Sequence, residues 1–331
     1  MNSNRIDRMI PVLLLAAIAF TACTNRTPVT GDRIPVIFDT DANNELDDQH
    51  ALAYLLLNPE VFEPIGITVN ATWNGGEVGE HVKEAERIVS LCGMEGRVRV
   101  LTGANGGFEE IRDHIGEPAF DGHAAVDFII REAMKERDRT LVVIPVGKLT
   151  NVALALMKEP AIAGRIRVVW LGSNYPDKGE YNMDNDIPSM NYVLQTSVPF
   201  EIATVRYGKP SGTAAVMVTR DEIFHKMPGL GPRVSEPVIG RHGGEFTCFG
   251  DYSASLFQHV EHFGEGYTRS LFDMAAVAIV KDPSWAKASE IPGPVYADTA
   301  WVEQPDNPRK VVIWENFDKE GILADFYATF E

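Results

Sequence analysis

The sequence predicts an α/β fold: one domain built on a mainly parallel, open sheet that is flanked by helices. Two observations predict it. Short apolar runs that suit buried strands recur along the 331 residues, and segments with the apolar spacing of helices lie between them. Because neighbouring parallel strands need a crossover connection, which is usually a helix, this alternation indicates helices on both faces of one sheet.

Strands are predicted where apolar residues run without interruption. The run Ile34–Phe38 begins the series, and Leu141–Val146, LVVIPV, is its clearest member. The other predicted strands of the sheet are Pro64–Val69, Val98–Leu101, Ile166–Leu171 and Pro199–Thr204. The helices between them, predicted from apolar residues three and four apart, are Asp47–Leu57, Glu77–Leu91, Ala125–Lys135, Asn151–Met157 and Pro188–Gln195.

The alternation weakens between Lys209 and Thr268, where Gly-rich stretches predict loops. Beyond this region, apolar spacing predicts helices at Leu271–Val280 and Gly321–Phe330. The two late apolar runs are predicted to form a hairpin: Val295–Val302 and Lys310–Trp314. No internal repeat or low-complexity stretch divides residues 34–331, so a single domain is predicted over this range.

Residues 1–23 have the composition of a secretory signal peptide. Two arginines precede the apolar run Met9–Phe20, and small residues and Cys23 close the segment. A helix of this run would span about 18 Å, too short for the roughly 30 Å hydrocarbon core of a membrane. Cys23 directly after small residues resembles a bacterial lipoprotein box, in which the cysteine would carry a lipid anchor. The polar stretch 24–33 is then predicted to be a tether.

This segment predicts an exported protein that is lipid-anchored through Cys23 in a bacterial envelope membrane and faces the periplasm or the exterior. The alternative is a plain secreted protein in which Cys23 has no role. Once the segment is removed, Cys92 and Cys248 remain, and the sequence leaves open whether they pair or are two buried thiols.

The charge balance argues against a polyanionic partner. The chain has 30 Lys and Arg against 47 Asp and Glu, a formal charge of −17, so it lacks the net basic character that nucleic acid binding requires. Hydrophobic residues make up 45% of the chain, which fits a folded protein rather than a disordered one. The predicted partner is a small molecule and not nucleic acid.

An acidic cluster lies between the first predicted strand and the first predicted helix. Its aspartates are Asp39, Asp41, Asp47 and Asp48. Capping of the helix explains Asp47 or Asp48. It does not explain Asp39 and Asp41, which come directly from an apolar strand and would repel one another. Because hard cations prefer carboxylate oxygens, and ligands of open α/β sheets bind at the carboxyl ends of strands, the cluster predicts a Ca²⁺ or Mg²⁺ site.

At these residues the chain resembles a known family. The segment VIFDTDANNELDDQHALAYLL is similar to the N-terminal signature of the nucleoside hydrolases of the inosine–uridine-preferring type, an Asp-x-Asp followed by Asp-Asp. Five residues separate the two pairs here, where the family has three. Three later segments resemble the family in the right order: VGKLTNVAL at 146–154, Glu180-Tyr181-Asn182 in place of the family's Glu-Phe-Asn, and the helix start at Asp273.

The resemblance implies a nucleoside-hydrolase-like fold and calcium-dependent hydrolysis of the N-glycosidic bond of a ribonucleoside or related riboside, giving ribose and free base. It implies four calcium ligands: Asp41, Asp48, Asp273 and the backbone carbonyl of Thr150. Asp41 is also the implied general base. The implied substrate-binding residues are Asp47, Asn74, Asn174, Glu180, Asn182 and Phe272. Since the family is commonly oligomeric, a homo-oligomer is implied as well.

The sequence departs from the family at the leaving group. Many members have a His immediately before the C-terminal Asp, where it can protonate the departing base, whereas this chain has Phe272. A phenylalanine cannot donate a proton but can stack on a planar base. His242, His259 and His262 are either other candidates for the acid or solvated surface residues. The base preference stays open.

Two other classes of function are open. An Asp-x-Asp after a strand also begins phosphatases of the haloacid dehalogenase type, but the Asp47-Asp48 pair would then be unexplained. A non-catalytic, calcium-dependent lipoprotein that binds a nucleoside or a sugar is the closer rival, because the acid position is altered. Release of free ribose would separate the hydrolase from the binding protein.

Overall fold

The computed structural model describes residues 33–264 and 266–331. The predicted signal peptide 1–23 with its Cys23, and the tether up to residue 32, lie outside the described residues. Within the described ranges, no helix has both the length and the apolar composition needed to cross a membrane.

Fourteen strands and eleven helices lie within the described ranges. The strands, β1 to β14 in chain order, are Ile34–Thr40, Phe62–Val69, Val100–Thr102, Leu141–Pro145, Ile166–Leu171, Phe200–Ala203, Met217–Thr219, Val238–Ile239, Glu245–Phe246, Thr268–Ser270, Lys287–Pro292, Val295–Ala297, Ala300–Val302 and Lys310–Glu315. The helices, α1 to α11, are Asp47–Leu56, Val78–Leu91, Phe108–Ile111, His123–Ala133, Thr150–Lys158, Tyr181–Asn185, Ile187–Gln195, Arg220–Lys226, Phe249–His259, Phe272–Lys281 and Lys319–Phe330.

Eight of the strands form one sheet, in the order β11-β14-β6-β5-β4-β1-β2-β3. All neighbours run parallel except β11, which is antiparallel to β14. The strand order reverses at β1, because β2 and β3 lie on one side of it and β4, β5 and β6 on the other. Such a reversal leaves a crevice at the carboxyl ends of the strands, where ligands of open α/β sheets bind. The mainly parallel, open sheet confirms the predicted fold class.

Two hydrophobic cores cover the sheet, one on each face. The side chains of β1 alternate between them: Val36 and Phe38 pack in the core that contains α1, α2 and α10, and Ile37 packs in the core that contains α4, α5 and α7. Helix α1 is buried along its whole length, since it lies against β2, α2 and α10. This packing removes Asp47 and Asp48, its first two residues, from bulk water.

The hairpin predicted for Val295–Val302 and Lys310–Trp314 is wrong. Strand β12 pairs with β13 in a small hairpin whose two turn residues both have positive φ. Strand β14 instead enters the main sheet between β6 and β11. It is apolar on both faces, because Val311 and Ile313 pack in one core and Trp314 packs in the other, and a strand of this kind suits the interior of a sheet.

The region between Lys209 and Thr268 is more regular than its Gly-rich sequence predicts. It contains β7, α8, β8, β9 and α9, and β10 begins at its end. Helix α9 buries Phe249, Tyr252 and Leu256, whose spacing of three and four residues is a helical signal that the flanking glycines interrupt. The other predicted strands and helices agree with the structure to within two residues at their ends.

The two cysteines in the described ranges are free thiols. Cys92 follows α2 and Cys248 precedes α9, and both are buried. Of the two alternatives that the sequence leaves open, the structure shows the second, two buried thiols.

Candidate active site

The first carboxylate after β1 has a structural role. Asp39 accepts hydrogen bonds from the Thr68 hydroxyl at 2.5 Å and from the Asn70 and Asn151 amides at 2.8 Å each. Burial raises the pKa of Asp39 to about 6, although the three donors oppose the shift. Its oxygens are therefore committed to tying β1 to β2 and α5, and they are not free to bind a ligand.

Four further carboxylates form the floor of one cavity at the carboxyl ends of the strands: Asp41, Asp47, Asp48 and Asp273. One oxygen from each of Asp47, Asp48 and Asp273 lies within 4.8 Å of the others. Burial raises the pKa of all four. Repulsion by neighbouring carboxylates adds to the shift for Asp47, Asp48 and Asp273, and the pKa of Asp47 is raised to about 7. The sequence separates Asp273 from the others by more than 220 residues, and the contact of α10 with α1 brings them together.

The floor fits a hard cation. The Oδ2 atom of Asp273 is buried and has no hydrogen-bond partner among the described residues. A buried carboxylate oxygen without a donor is costly unless a positive charge compensates it. Since the clustered donors among the described residues are carboxylate oxygens, the donor set suits an ion of the calcium or magnesium type.

The structure does not place Thr150, an implied calcium ligand, in the cavity lining. Thr150 is the first residue of α5, so its carbonyl belongs to the helix's own hydrogen bonds, and its hydroxyl donates to Asp186. Val146, which directly follows β4, lines the cavity instead, and its carbonyl accepts the Asn182 amide at 2.7 Å. Within the segment 146–154, the residue that lines the cavity is therefore Val146, one turn earlier in the chain than Thr150.

Asp41 is held from two sides. The Thr72 hydroxyl donates to its Oδ2 atom, and the Tyr181 hydroxyl contacts Thr72 and accepts the backbone N–H of Asn74 at 2.9 Å. On the other side, the backbone of Gly147 comes so close that a Cβ atom there would lie 2.8 Å from Oδ1 of Asp41. Only a glycine allows this approach, and the carboxylate is thereby held in one orientation.

Glu180 and Asn182 line the cavity as the resemblance implies. Glu180 caps α6, since its carboxylate accepts the backbone N–H groups of Ser173, Asn182 and Met183 at 2.7, 3.0 and 2.9 Å. Burial raises the pKa of Glu180 to about 7 against the effect of these donors. The Asn182 amide donates to the carbonyls of Val146 and Leu171, which fixes the ends of β4 and β5 relative to α6.

The two other implied asparagines differ. Asn74 lies in the cavity lining, on the loop after β2. Asn174 does not: its amide nitrogen donates to the Gly179 carbonyl, and its oxygen accepts the backbone N–H of Tyr207 at 3.1 Å. Both polar ends of Asn174 therefore connect its loop to neighbouring backbone, and its role as a substrate-binding residue stays a prediction.

One wall of the cavity is apolar and aromatic. Phe272, at the start of α10, packs edge-to-face against Tyr207, with ring centres 5.8 Å apart. Phe263, Met217 and Val205 extend this wall. Together with the acidic floor they enclose a cavity of about 800 Å³, which has the size of a small-molecule site.

A comparison with known families agrees with this geometry. A sequence model described as "Inosine-uridine preferring nucleoside hydrolase" matches residues 36–324, nearly the whole described part of the chain. The chain belongs to this nucleoside hydrolase family. The match confirms the family resemblance that the acidic segment predicts.

Individual relatives of this nucleoside hydrolase are distant. The pyrimidine-specific ribonucleoside hydrolase RihA of Shewanella sp. (strain MR-7) is 28% identical over 187 residues, and the match spans 50% of this chain and only 57% of that relative. The inosine-uridine preferring nucleoside hydrolase of Leishmania major is 27% identical over 277 residues, 78% of this chain and 82% of that one. The solved purine-preferring ribonucleoside hydrolase from Gardnerella vaginalis has the same fold, with a TM-score of 0.69 at 21% identity over 89% of this chain and 98% of its own.

No histidine lines the cavity of this nucleoside hydrolase among the described residues. His242 and His259 stack on each other, with ring centres 4.4 Å apart, and line a neighbouring cavity. His50 is a core residue between Leu46 and Ser253, and His81 is buried behind the loop that carries Asn43. His262 is not part of the lining either.

Arg269 and Tyr207 are among the lining residues that sequence reasoning missed. Arg269 is only 3% exposed and forms an ion pair with Glu45, which lies between the two acidic pairs of the N-terminal signature. Tyr207 follows β6 in a stretch that carries no recognisable motif. A buried arginine usually has a carboxylate partner, but only the folded chain shows that this partner is Glu45.

Proposed function

We propose that the protein hydrolyses the N-glycosidic bond of a ribonucleoside or a related riboside, releasing ribose and the free base. The observation that carries the proposal is the convergence of Asp41, Asp47, Asp48 and Asp273 in one cavity that aromatic side chains also line. Cleavage of such a bond passes through a sugar with positive, oxocarbenium-like charge. Buried carboxylates stabilise that charge, and aromatic rings accommodate the base.

Calcium is the proposed cofactor. Asp41, Asp48, Asp273 and the Val146 carbonyl would hold the ion, and the unpaired Oδ2 atom of Asp273 supports this assignment. A calcium ion there would offset the repulsion among the carboxylates and make a nearby water easier to deprotonate. The resemblance of the acidic segment to the family signature, which implies calcium, also supports the choice.

The residues of the chain then have distinct tasks. Asp41, whose Oδ2 accepts the Thr72 hydroxyl, is the general base that takes the proton of the attacking water. Asp47 and Asn182 would bind the ribose 2′- and 3′-hydroxyls and orient the anomeric carbon. Glu180, fixed by three backbone donors, would lie at the 5′ side of the sugar.

The test is an assay of residues 24–331, which lack the proposed lipid-anchored Cys23, with a panel of ribonucleosides. Released reducing sugar is measured with calcium and with EDTA. We expect ribose release that EDTA abolishes and calcium restores. If calorimetry shows that a nucleoside binds but no sugar is released, the protein is the non-catalytic binding protein, and the hydrolase proposal is wrong.

The variant Asp41→Ala tests the role of Asp41 as the general base. Because it removes the base without touching the hydrophobic cores, turnover is expected to fall by at least about 10²-fold while the circular dichroism spectrum is retained. Asp138→Asn, on the surface between α4 and β4, is the control for loss of one acidic charge. Full activity of the Asp41 variant would remove this residue from the base role.

Export and lipid anchoring through Cys23 are proposed from the sequence alone. Expression of the full chain in a bacterium, followed by mass spectrometry of the membrane fraction, is expected to find a chain that begins at a lipidated Cys23. The variant Cys23→Ala is then expected to leave the membrane fraction. A wild-type chain that keeps residues 1–22 would contradict the proposal.

A further inference from the structure

Among the described residues, the aromatic wall around Phe272 has no effective proton donor, which the hydrolysis of a neutral nucleoside needs at the departing base. When the bond between the anomeric carbon and a neutral base breaks, its electron pair stays on the base nitrogen, and the base leaves as an anion unless it receives a proton. Phe272 occupies the position from which many family members donate that proton. Phe272, Tyr207, Phe263 and Met217 form this wall, and no histidine contributes to it in the described part of the chain.

The other acidic and tyrosine side chains of the lining are poor proton donors to a base. Both oxygens of Glu180 accept backbone N–H groups, and Glu45 is paired with Arg269. The Tyr181 hydroxyl contacts Thr72 and Asn74. Burial and the nearby Glu180 raise the pKa of Tyr207, so its phenol is a weaker acid than usual.

The charges of the cavity favour a cation. Its two basic residues are neutralised by acids, since Arg269 pairs with Glu45 and Lys209 pairs with Asp177. The four floor aspartates and Glu180 have no Lys or Arg partner within 4.0 Å among the described residues. One divalent ion carries fewer positive charges than these five acids can carry negative ones. Aromatic rings such as Phe272 and Tyr207 also attract cations through their faces.

From these features we infer that the site is selective for ribosides whose glycosidic nitrogen already carries a positive charge, of the N-ribosylpyridinium type. The inference rests on the proposed hydrolase function and specifies its substrate class. In this reaction the bond between the anomeric carbon and nitrogen breaks, its electron pair neutralises the ring nitrogen, and the base leaves uncharged. Water supplies the new bond to the anomeric carbon and gives its proton to Asp41, so no acid is needed at the base.

The experiment compares kcat/KM for four ribosides with the calcium-loaded protein: nicotinamide riboside, p-nitrophenyl riboside, inosine and uridine. We expect nicotinamide riboside to exceed inosine and uridine by about 10²-fold or more, the usual size of a general-acid contribution. p-Nitrophenyl riboside also releases its leaving group, p-nitrophenolate, without a proton, but this substrate is neutral. It therefore distinguishes the effect of the missing acid from a preference for a cationic substrate. Nicotinamide riboside is expected to exceed it as well.

The outcomes distinguish this inference from the proposed function. If inosine or uridine is hydrolysed as fast as nicotinamide riboside, the hydrolase stands and the inferred substrate class is wrong. If p-nitrophenyl riboside is the fastest, the preference for a cation is wrong. If no riboside is hydrolysed, the proposed function fails, and binding of nicotinamide riboside against uridine to the Asp41→Ala variant, by calorimetry, still tests the charge preference. Equal or weaker binding of nicotinamide riboside there would overturn it.

Phe272→His tests the residue on which the substrate class depends. It supplies an acid and removes part of the aromatic wall, so kcat/KM is expected to rise for inosine and uridine and to fall for nicotinamide riboside. The pH profile for inosine is expected to gain a decline on its alkaline side, where the histidine loses its proton. Phe272→Leu, which removes the ring without adding an acid, is expected to lower nicotinamide riboside hydrolysis alone. A gain for inosine in both variants would contradict the role of the missing acid.

Discussion

At the scale of single residues, the site is defined by which carboxylates have donors and which do not. Asp39 has three hydrogen-bond donors, whereas one oxygen of Asp273 has none. The two residues are of the same type, and the sequence presents both as candidates for a metal site. Their neighbours decide the difference: Asp39 meets amides and a hydroxyl, and Asp273 meets other carboxylates.

The hydroxyl of Thr72 is expected to position Asp41 for catalysis. In Thr72→Val, Asp41 loses one fixed oxygen, so kcat is expected to fall about tenfold, the equivalent of one hydrogen bond to a charged group, at nearly constant KM because Thr72 does not line the cavity. Steady-state kinetics on the best riboside measures this. Thr72→Ser keeps the hydroxyl and is expected to retain most of the activity. An equal loss in both variants would show that packing, rather than the hydroxyl, matters.

At the scale of elements, the floor depends on how two helices pack. Helix α1 begins with Asp47 and Asp48, α10 begins with Phe272 and Asp273, and the two helices lie against each other. Both helix starts were predicted from the sequence to within one residue. Their contact could be inferred only through the family resemblance, because apolar spacing shows that a helix has a buried face but not which helix covers it.

The position of β14 has a consequence for stability. Since Ile313 is 3% exposed in an interior strand, Ile313→Ala is expected to lower the free energy of unfolding by about 2–5 kcal/mol. Val302→Ala, in the small β12–β13 hairpin, is the control, and its change is expected to stay within about 0.5 kcal/mol. Urea unfolding followed by fluorescence measures both. If both variants changed the free energy of unfolding by a similarly small amount, β14 would belong to the surface hairpin that the sequence predicts and not to the main sheet.

At the scale of the whole molecule, buried carboxyl groups lie close together near β1, where the strand order of the sheet reverses. The pKa values of Asp39, Asp47 and Glu180 are raised to about 6, 7 and 7. Between their ordinary and their raised values, the folded protein binds more protons than the unfolded chain does. The free energy of unfolding therefore falls as the pH rises through this window.

The metal-free protein is accordingly expected to melt at a lower temperature near pH 7.5 than near pH 5. Calcium is expected to raise the melting temperature more at the higher pH, because the ion binds deprotonated carboxylates. Differential scanning fluorimetry with EDTA, and then with excess CaCl₂, measures both effects, and NaCl of equal ionic strength is the control. A melting temperature that increases with pH in EDTA would contradict the burial of these acids.

The sequence by itself determined the order of strands and helices, the acidic segment after β1 and the absence of a histidine before Asp273, because these depend on local spacing and on residue type. It failed where the decisive partner is distant. The late hairpin was predicted from local apolar runs, but β14 pairs with β6 and β11 in the main sheet. The tertiary structure decided that Val146 lines the cavity, which acid pairs with Arg269 and where β14 lies, since these follow from packing between elements far apart in the chain.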